Sequence, residues 1–234
     1  MKKHLFNLVA VSILLMTVLS ACKKDPKGDG GGGGESSSVI DAKNIIGDAT
    51  DGVDHVKVFV DCYTENHWNK YEVGAGTFIN DGFTIHLRTL SSEYLGLVYD
   101  LVDDNLVVSD KDAKMSDITE IFAYSNEGKI VGEFRLYGQN DNIGYKAAHI
   151  YADRNFTIKG TELDNGYTFA YDCDFRKGWN VVYFYYGGPV EQITTQRPPD
   201  ANFQWHYQDQ SGWDGSPKPA KQSKLFSRLG KTSY

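Results

Sequence analysis

From Val39 onward, apolar residues return at every second position in short runs, which is the period of a pleated strand with one covered face. Phe83, Ile85 and Leu87 alternate with Thr84, His86 and Arg88. Val56, Val58, Val60 and Cys62 line one face of a second run, and Tyr167, Phe169, Tyr171 and Cys173 line one face of a third. The pattern predicts strands near 39–46, 53–63, 69–79, 82–88, 97–101, 105–109, 118–125, 129–137, 145–151, 155–162, 166–175, 179–187, 190–195 and 202–207, with few or no helices. Asn80-Asp81-Gly82 and Asp164-Asn165-Gly166 place residues that tolerate positive φ between alternating runs, as tight hairpins require; Asn126-Glu127-Gly128 does so less clearly. Trp179–Tyr186 (WNVVYFYY) is apolar on both faces and is therefore expected to be a central strand covered on both sides. Trp179 and Trp205 are assigned to the core. The fold class that follows is all-β, an antiparallel β-sandwich of Ig-like, transthyretin-like or jelly-roll-like kind.

The chain before Val39 breaks this pattern. Lys2 and Lys3 precede an apolar run from Leu5 to Leu19, and Leu19-Ser20-Ala21-Cys22 follows. This resembles a bacterial lipoprotein signal, in which cleavage falls before a lipidated cysteine. The resemblance implies removal of residues 1–21, acyl chains (palmitate among them) on Cys22, and membrane attachment by two or more chains. Residues 22–38, with the run GDGGGGGESSS, offer almost nothing to bury and read as a flexible tether. Residues 39–207 read as the sandwich, as one domain or two packed sub-domains. Residues 208–234 read as a frayed basic tail, carrying Lys218, Lys221, Lys224, Arg228 and Lys231 near its end.

Composition narrows the function classes. Without Lys2 and Lys3 the chain has 22 basic against 31 acidic residues, a formal balance of −9, which argues against nucleic acid as a partner. Besides Cys22 there are two cysteines, Cys62 and Cys173, both expected to point inward. They form either a disulfide, contributing roughly 4–5 kcal/mol for a loop of about 100 residues, or two buried free thiols. No HExxH, closely spaced histidine pair or Gly-x-Ser-x-Gly elbow occurs, so no catalytic residue, cofactor or metal is assigned. Asp100, Asp103, Asp104, Asp110, Asp112 and Asp117 lack the order of a calcium loop and read as solvated. Aromatic residues are the best binding signal, since sugars stack on Trp and Tyr rings within a polar rim. Trp68 with Asn66, on an expected loop, and Trp213, in the tail, are the candidates.

The lipobox, the tether, Val56-Lys57-Val58, Gly82–Leu87, Lys177-Gly178-Trp179-Asn180, Thr194-Thr195 and Phe203-Gln204-Trp205 together resemble uncharacterised cell-envelope lipoproteins of Bacteroidetes with a β-sandwich domain. The resemblance implies a β-sandwich in the envelope and carries over no active site. Lys23 after the lipid site favours the outer membrane, on its periplasmic or surface face. The function expected is non-enzymatic binding of a glycan or envelope protein, or a structural role. The alternatives are a hydrolase on the same scaffold and a fimbrial or adhesin-like assembly subunit.

Overall fold

The computed structural model describes residues 37–64, 67–102, 104–140, 143–164, 166–186 and 188–210. Cys22, Asn66 and Trp213 lie outside them, as do the tether up to residue 36 and the tail from residue 211. Among the described residues no helix is long and apolar enough to cross a membrane.

The strands, in chain order, are β1 (Val39–Ala42), β2 (Ile46–Gly47), β3 (His55–Thr64), β4 (His67–Thr77), β5 (Phe83–His86), β6 (Gly96–Leu97), β7 (Leu106–Val108), β8 (Lys114–Met115), β9 (Glu120–Tyr124), β10 (Ile130–Asn140), β11 (Ile143–Ala152), β12 (Phe156–Asp164), β13 (Tyr167–Phe175), β14 (Gly178–Tyr186), β15 (Val190–Thr194) and β16 (Asn202–Asp209). Apart from a 3-10 turn at Ser92–Tyr94, the one helix among the described residues is Val98–Leu101. That segment departs from the expected strand: Val98 is fully buried and Val102 packs against the same core, a four-residue spacing that one helical turn satisfies. β16 runs two residues past the expected boundary at Tyr207. The turn at Asn80-Asp81 is as expected, with φ of 52° and 55° between Ile79 and Gly82, which exchange both backbone hydrogen bonds.

β1 and β5 form a two-stranded sheet, and the other fourteen strands form one hydrogen-bonded network. The network divides at β10. One edge of β10 pairs with β16 over Gly132–Gln139. The other is shared in succession by β9, at Ile130–Glu133, and by β11, at Leu136–Asn140. Where β11 parts from β10, the 116–119 segment takes over: Ser116 and Thr119 donate backbone N–H groups to Tyr151 and His149 carbonyls, and their hydroxyls accept N–H groups in return. Side-chain oxygens thus replace ladder carbonyls and leave the buried backbone satisfied.

Two cores result. The first lies on the β11–β15 side and contains Met115, Ile150, Phe156, Ile158, Phe169, Cys173, Phe175, Val182 and Phe184. The second lies under β1 and β5 and contains Ile40, Val56, Val58, Phe83, Ile85, Phe134, Tyr151, Trp179 and Trp205. β11 and β14 contribute to both, so WNVVYFYY is a central strand covered on two sides, as expected. β5 can lie close on β4 because Gly74 and Gly76 have no side chain. A Cβ at Gly74 would stand 2.6 Å from Ile85 Cγ2, and one at Gly76 would stand 2.7 Å from the Thr84 carbonyl.

One expectation needs correction, and one pair of alternatives is decided. The sheet is not wholly antiparallel, because β13–β15 and β2–β16 are parallel pairs. β15 returns antiparallel to β14 and inserts between β14 and the oppositely directed β13, so it must run with β13. Asn180 fixes that corner, accepting from Arg176 N–H (2.8 Å) and donating to the carbonyls of Arg176 (2.7 Å) and Gly178 (2.8 Å). Second, Cys62 and Cys173 are not bridged; both are buried free thiols. Each points inward, but towards different interiors, on strands separated by β9, β10, β11, β14 and β15 in the sheet order. A disulfide needs Cα atoms within about 7 Å. Instead the Cys62 thiol donates to the Asn69 carbonyl at 3.3 Å and the Cys173 thiol to the Ile193 carbonyl at 3.4 Å.

Candidate functional site

Alternation along β11 and β14 builds a ladder of side chains on one face, with rungs Tyr151–Trp179, His149–Val181, Ala147–Tyr183 and Tyr145–Tyr185. The first rung is inside the second core, its rings meeting edge-on at 5.4 Å. The last rung reaches the surface: Tyr145 and Tyr185 are half-buried and T-shaped at 5.4 Å between centroids. The same row crosses into the neighbouring strands, since Tyr145 pairs with Gly138 and Gly138 with Phe203. One cross-strand row therefore reads Tyr185, Tyr145, Gly138, Phe203.

Gly138 lets this row work. A Cβ there would lie 2.9–3.1 Å from Cε1, Cδ1 and Cζ of Phe203, so the Phe203 ring occupies the space that a side chain would fill. Phe203 leans back towards its neighbours, 6.1 Å from Tyr145 and 5.1 Å from the buried Tyr183. Leu136, Ala147, Val181 and Tyr183 form the apolar floor beneath. The rim is polar. Gln192 pairs with Tyr185 in the row, the Arg197 guanidinium lies over Phe203, 5.3 Å from the ring centroid, and Asp200 acts electrostatically on Tyr145. Burial, then Tyr185, then Asp200 raise the Tyr145 hydroxyl above its ordinary pKa. This arrangement offers apolar ring surface, hydrogen-bonding groups at its margin and no reactive group at its centre.

A second face, on β3, β4, β9 and β10, is built differently. Lys57 pairs with Glu72 at 3.0 Å, Lys70 with Asp61 at 3.1 Å and also with Glu120, and Arg135 with Glu133 while donating to the Tyr137 hydroxyl at 3.1 Å. Lys57 and Lys70 also cover the rings of Tyr124 and Phe122. Burial works against the Lys70 charge, but Glu120 and Asp61 outweigh it, and its pKa rises.

Asp117 corrects the solvated reading of the acidic run. It is buried, with 4% of its surface exposed. Its carboxylate accepts the Ile118 N–H at 2.6 Å, and burial holds its pKa well above the ordinary carboxylate range. His149, in the apolar ladder, is pushed down to about 4 by burial alone. Both groups are sealed from solvent, so their shifts reflect packing rather than an acid or base poised for substrate. Among the described residues no group of three or more His, Cys, Asp or Glu side chains could hold a metal ion.

Of the residues singled out from the sequence for binding, Trp68 is not part of the aromatic row, and Asn66 and Trp213 lie outside the described residues. Trp68 lies in β4, paired with Tyr63, rather than on a loop. β4 stands at the far end of the sheet order from β14 and β15. The row uses Tyr and Phe from three strands and a glycine from a fourth, separated in sequence by up to 65 residues, so the preference for Trp pointed elsewhere. One signal was available: Tyr185-Tyr186 ends a doubly covered strand, and one of two adjacent rings must face each side.

Comparison with known protein families, curated proteins and solved structures finds no match for this chain.

Proposed function

We propose that this chain is a lipid-anchored, non-enzymatic binding protein of a bacterial cell envelope, with the row Tyr185–Tyr145–Gly138–Phe203 as its contact surface for a glycan. The row carries the reading. Half-exposed rings from adjacent strands make a surface that suits the apolar face of a pyranose, and Gln192, Arg197 and Asp200 supply hydrogen bonds at its edge. The hydrolase alternative is weaker, because the carboxylate most perturbed among the described residues, Asp117, is enclosed and turned to its own backbone. Leu19-Ser20-Ala21-Cys22 supports acylation at Cys22, and Lys23 supports an outer-membrane destination.

Two measurements test this. Metabolic labelling with palmitate is expected to mark the full chain and not Cys22→Ser, and continued labelling of that variant would refute the anchor. Affinity electrophoresis of the full chain through gels containing single polysaccharides is expected to show retardation by at least one. Unchanged mobility across neutral and acidic polysaccharides would refute the glycan reading.

A further inference from the structure

The geometry points to a glycan bearing a carboxylate, with Arg197 as the residue that reads it, an inference that rests on the glycan-binding reading above. Five arginines lie among the described residues. Arg88 faces Glu72 at 3.9 Å, Arg135 pairs with Glu133, Arg154 with Asp153 (3.2 Å) and Asp110 (3.5 Å), and Arg176 faces Asp174 at 3.8 Å. Arg197 has no carboxylate partner among the described residues, and it is the arginine at the aromatic row. The other four described arginines are matched within the chain. Here one is exposed and lies over the ring of Phe203, with its centre 5.3 Å from the ring centroid.

A cation–π contact with a ring restrains a guanidinium while leaving N–H groups open to a second partner. Two such groups match a carboxylate with two parallel hydrogen bonds, and the restraint reduces the rotamer entropy lost when they form. Phe203 and Tyr145 lie 6.1 Å apart, so a sugar seated on the Tyr145 ring has its neighbouring substituents within the region that Arg197 overhangs. Asp200, near enough to act on the Tyr145 hydroxyl, accepts hydroxyl groups and repels a second acid. The formal charge of −7 for the whole chain opposes long-range attraction of a polyanion, so recognition depends on this direct contact and should persist at about 0.15 M salt, where the Debye length is about 8 Å.

The test uses the full chain at that salt with three probes: polygalacturonate, its fully methyl-esterified form and a neutral mannan. Polygalacturonate is expected to bind wild type at least about tenfold more tightly than the methyl ester, the value of one charge-assisted contact. Arg197→Gln should lose that preference, binding acid and ester alike. Arg197→Lys should recover only part, because an ammonium lacks the fork. Equal affinity of wild type for acid and ester, or an unchanged preference in Arg197→Gln, would overturn the role of Arg197 while leaving glycan binding intact. Binding of mannan alone would overturn the acidic-sugar class. Failure of wild type to bind any of the three, with retardation by some other polysaccharide, would also overturn the class, whereas failure on every polysaccharide would remove the glycan reading itself.

Discussion

The two decorated faces of this molecule use the same ingredients, aromatic rings and charged side chains, to opposite ends. On β3, β4, β9 and β10 the charges answer one another: Lys57 has Glu72, Lys70 has Asp61 and Glu120, Arg135 has Glu133, and lysine stems cover the rings. On β10, β11, β14 and β16 the rings of Tyr145, Tyr185 and Phe203 remain half-exposed, and Arg197 has no carboxylate partner among the described residues. The difference teaches that the presence of aromatic residues or charge is a poor guide to a binding surface. Unmet hydrogen-bonding and apolar capacity is a better one.

The largest effect that sharpens this contrast comes from beneath the aromatic face. His149 lies in the ladder below the row, with a folded pKa of about 4 against 6.5 for the free side chain. Between these values the unfolded chain binds the proton and the folded chain does not, so stability falls as pH drops from about 6.5 to 4. The loss approaches about 3 kcal/mol. Urea titrations at stepped pH should show it, and His149→Phe should flatten the slope in that window. Asp117 works in the opposite sense: its raised folded pKa removes stability as pH rises above the ordinary carboxylate value. Asp117→Asn, which keeps an acceptor for the Ile118 N–H, is therefore expected to raise the melting temperature at pH 7. A lower melting temperature would mean that the ionised form is wanted there.

A smaller effect should separate binding from stability. Gly138→Ala forces the Phe203 ring away from positions 2.9–3.1 Å from the new Cβ, and glycan affinity should fall by about tenfold, the cost of roughly 1.4 kcal/mol of lost contact. The smallest belongs to the ion-paired face. Glu72→Gln breaks a partly exposed pair and should cost less than about 1 kcal/mol in chemical denaturation, with no change in glycan affinity. A loss of binding in that variant would place the site on the wrong face.

Much of the fold was legible because period-two alternation does not depend on knowing the partner strand. Phe83, Ile85 and Leu87 are buried and Thr84, His86 and Arg88 exposed, as their alternation requires. What alternation cannot express is which interior a strand faces. WNVVYFYY shows that both sides of β14 are covered, but not that two different cores cover them, and for that reason the inward-facing Cys62 and Cys173 leave a disulfide and two free thiols both open in the sequence. The site was hidden for a related reason. Tyr185, Tyr145, Gly138 and Phe203 become neighbours only through register, and the decisive residue, Gly138, acts by lacking a side chain. Asn180 and Thr195, drawn from segments that carried the family resemblance, are fully buried and hold the β13–β14–β15 corner, so their role is architectural.

The most direct test of the account is isothermal titration of the full chain and of Tyr145→Ala/Tyr185→Ala with whichever polysaccharide retards the wild type. The account predicts that the double variant retains the wild-type circular dichroism spectrum and loses at least about a hundredfold in affinity, taking roughly 1.4 kcal/mol for each ring. A correctly folded double variant that binds as tightly as wild type would contradict it.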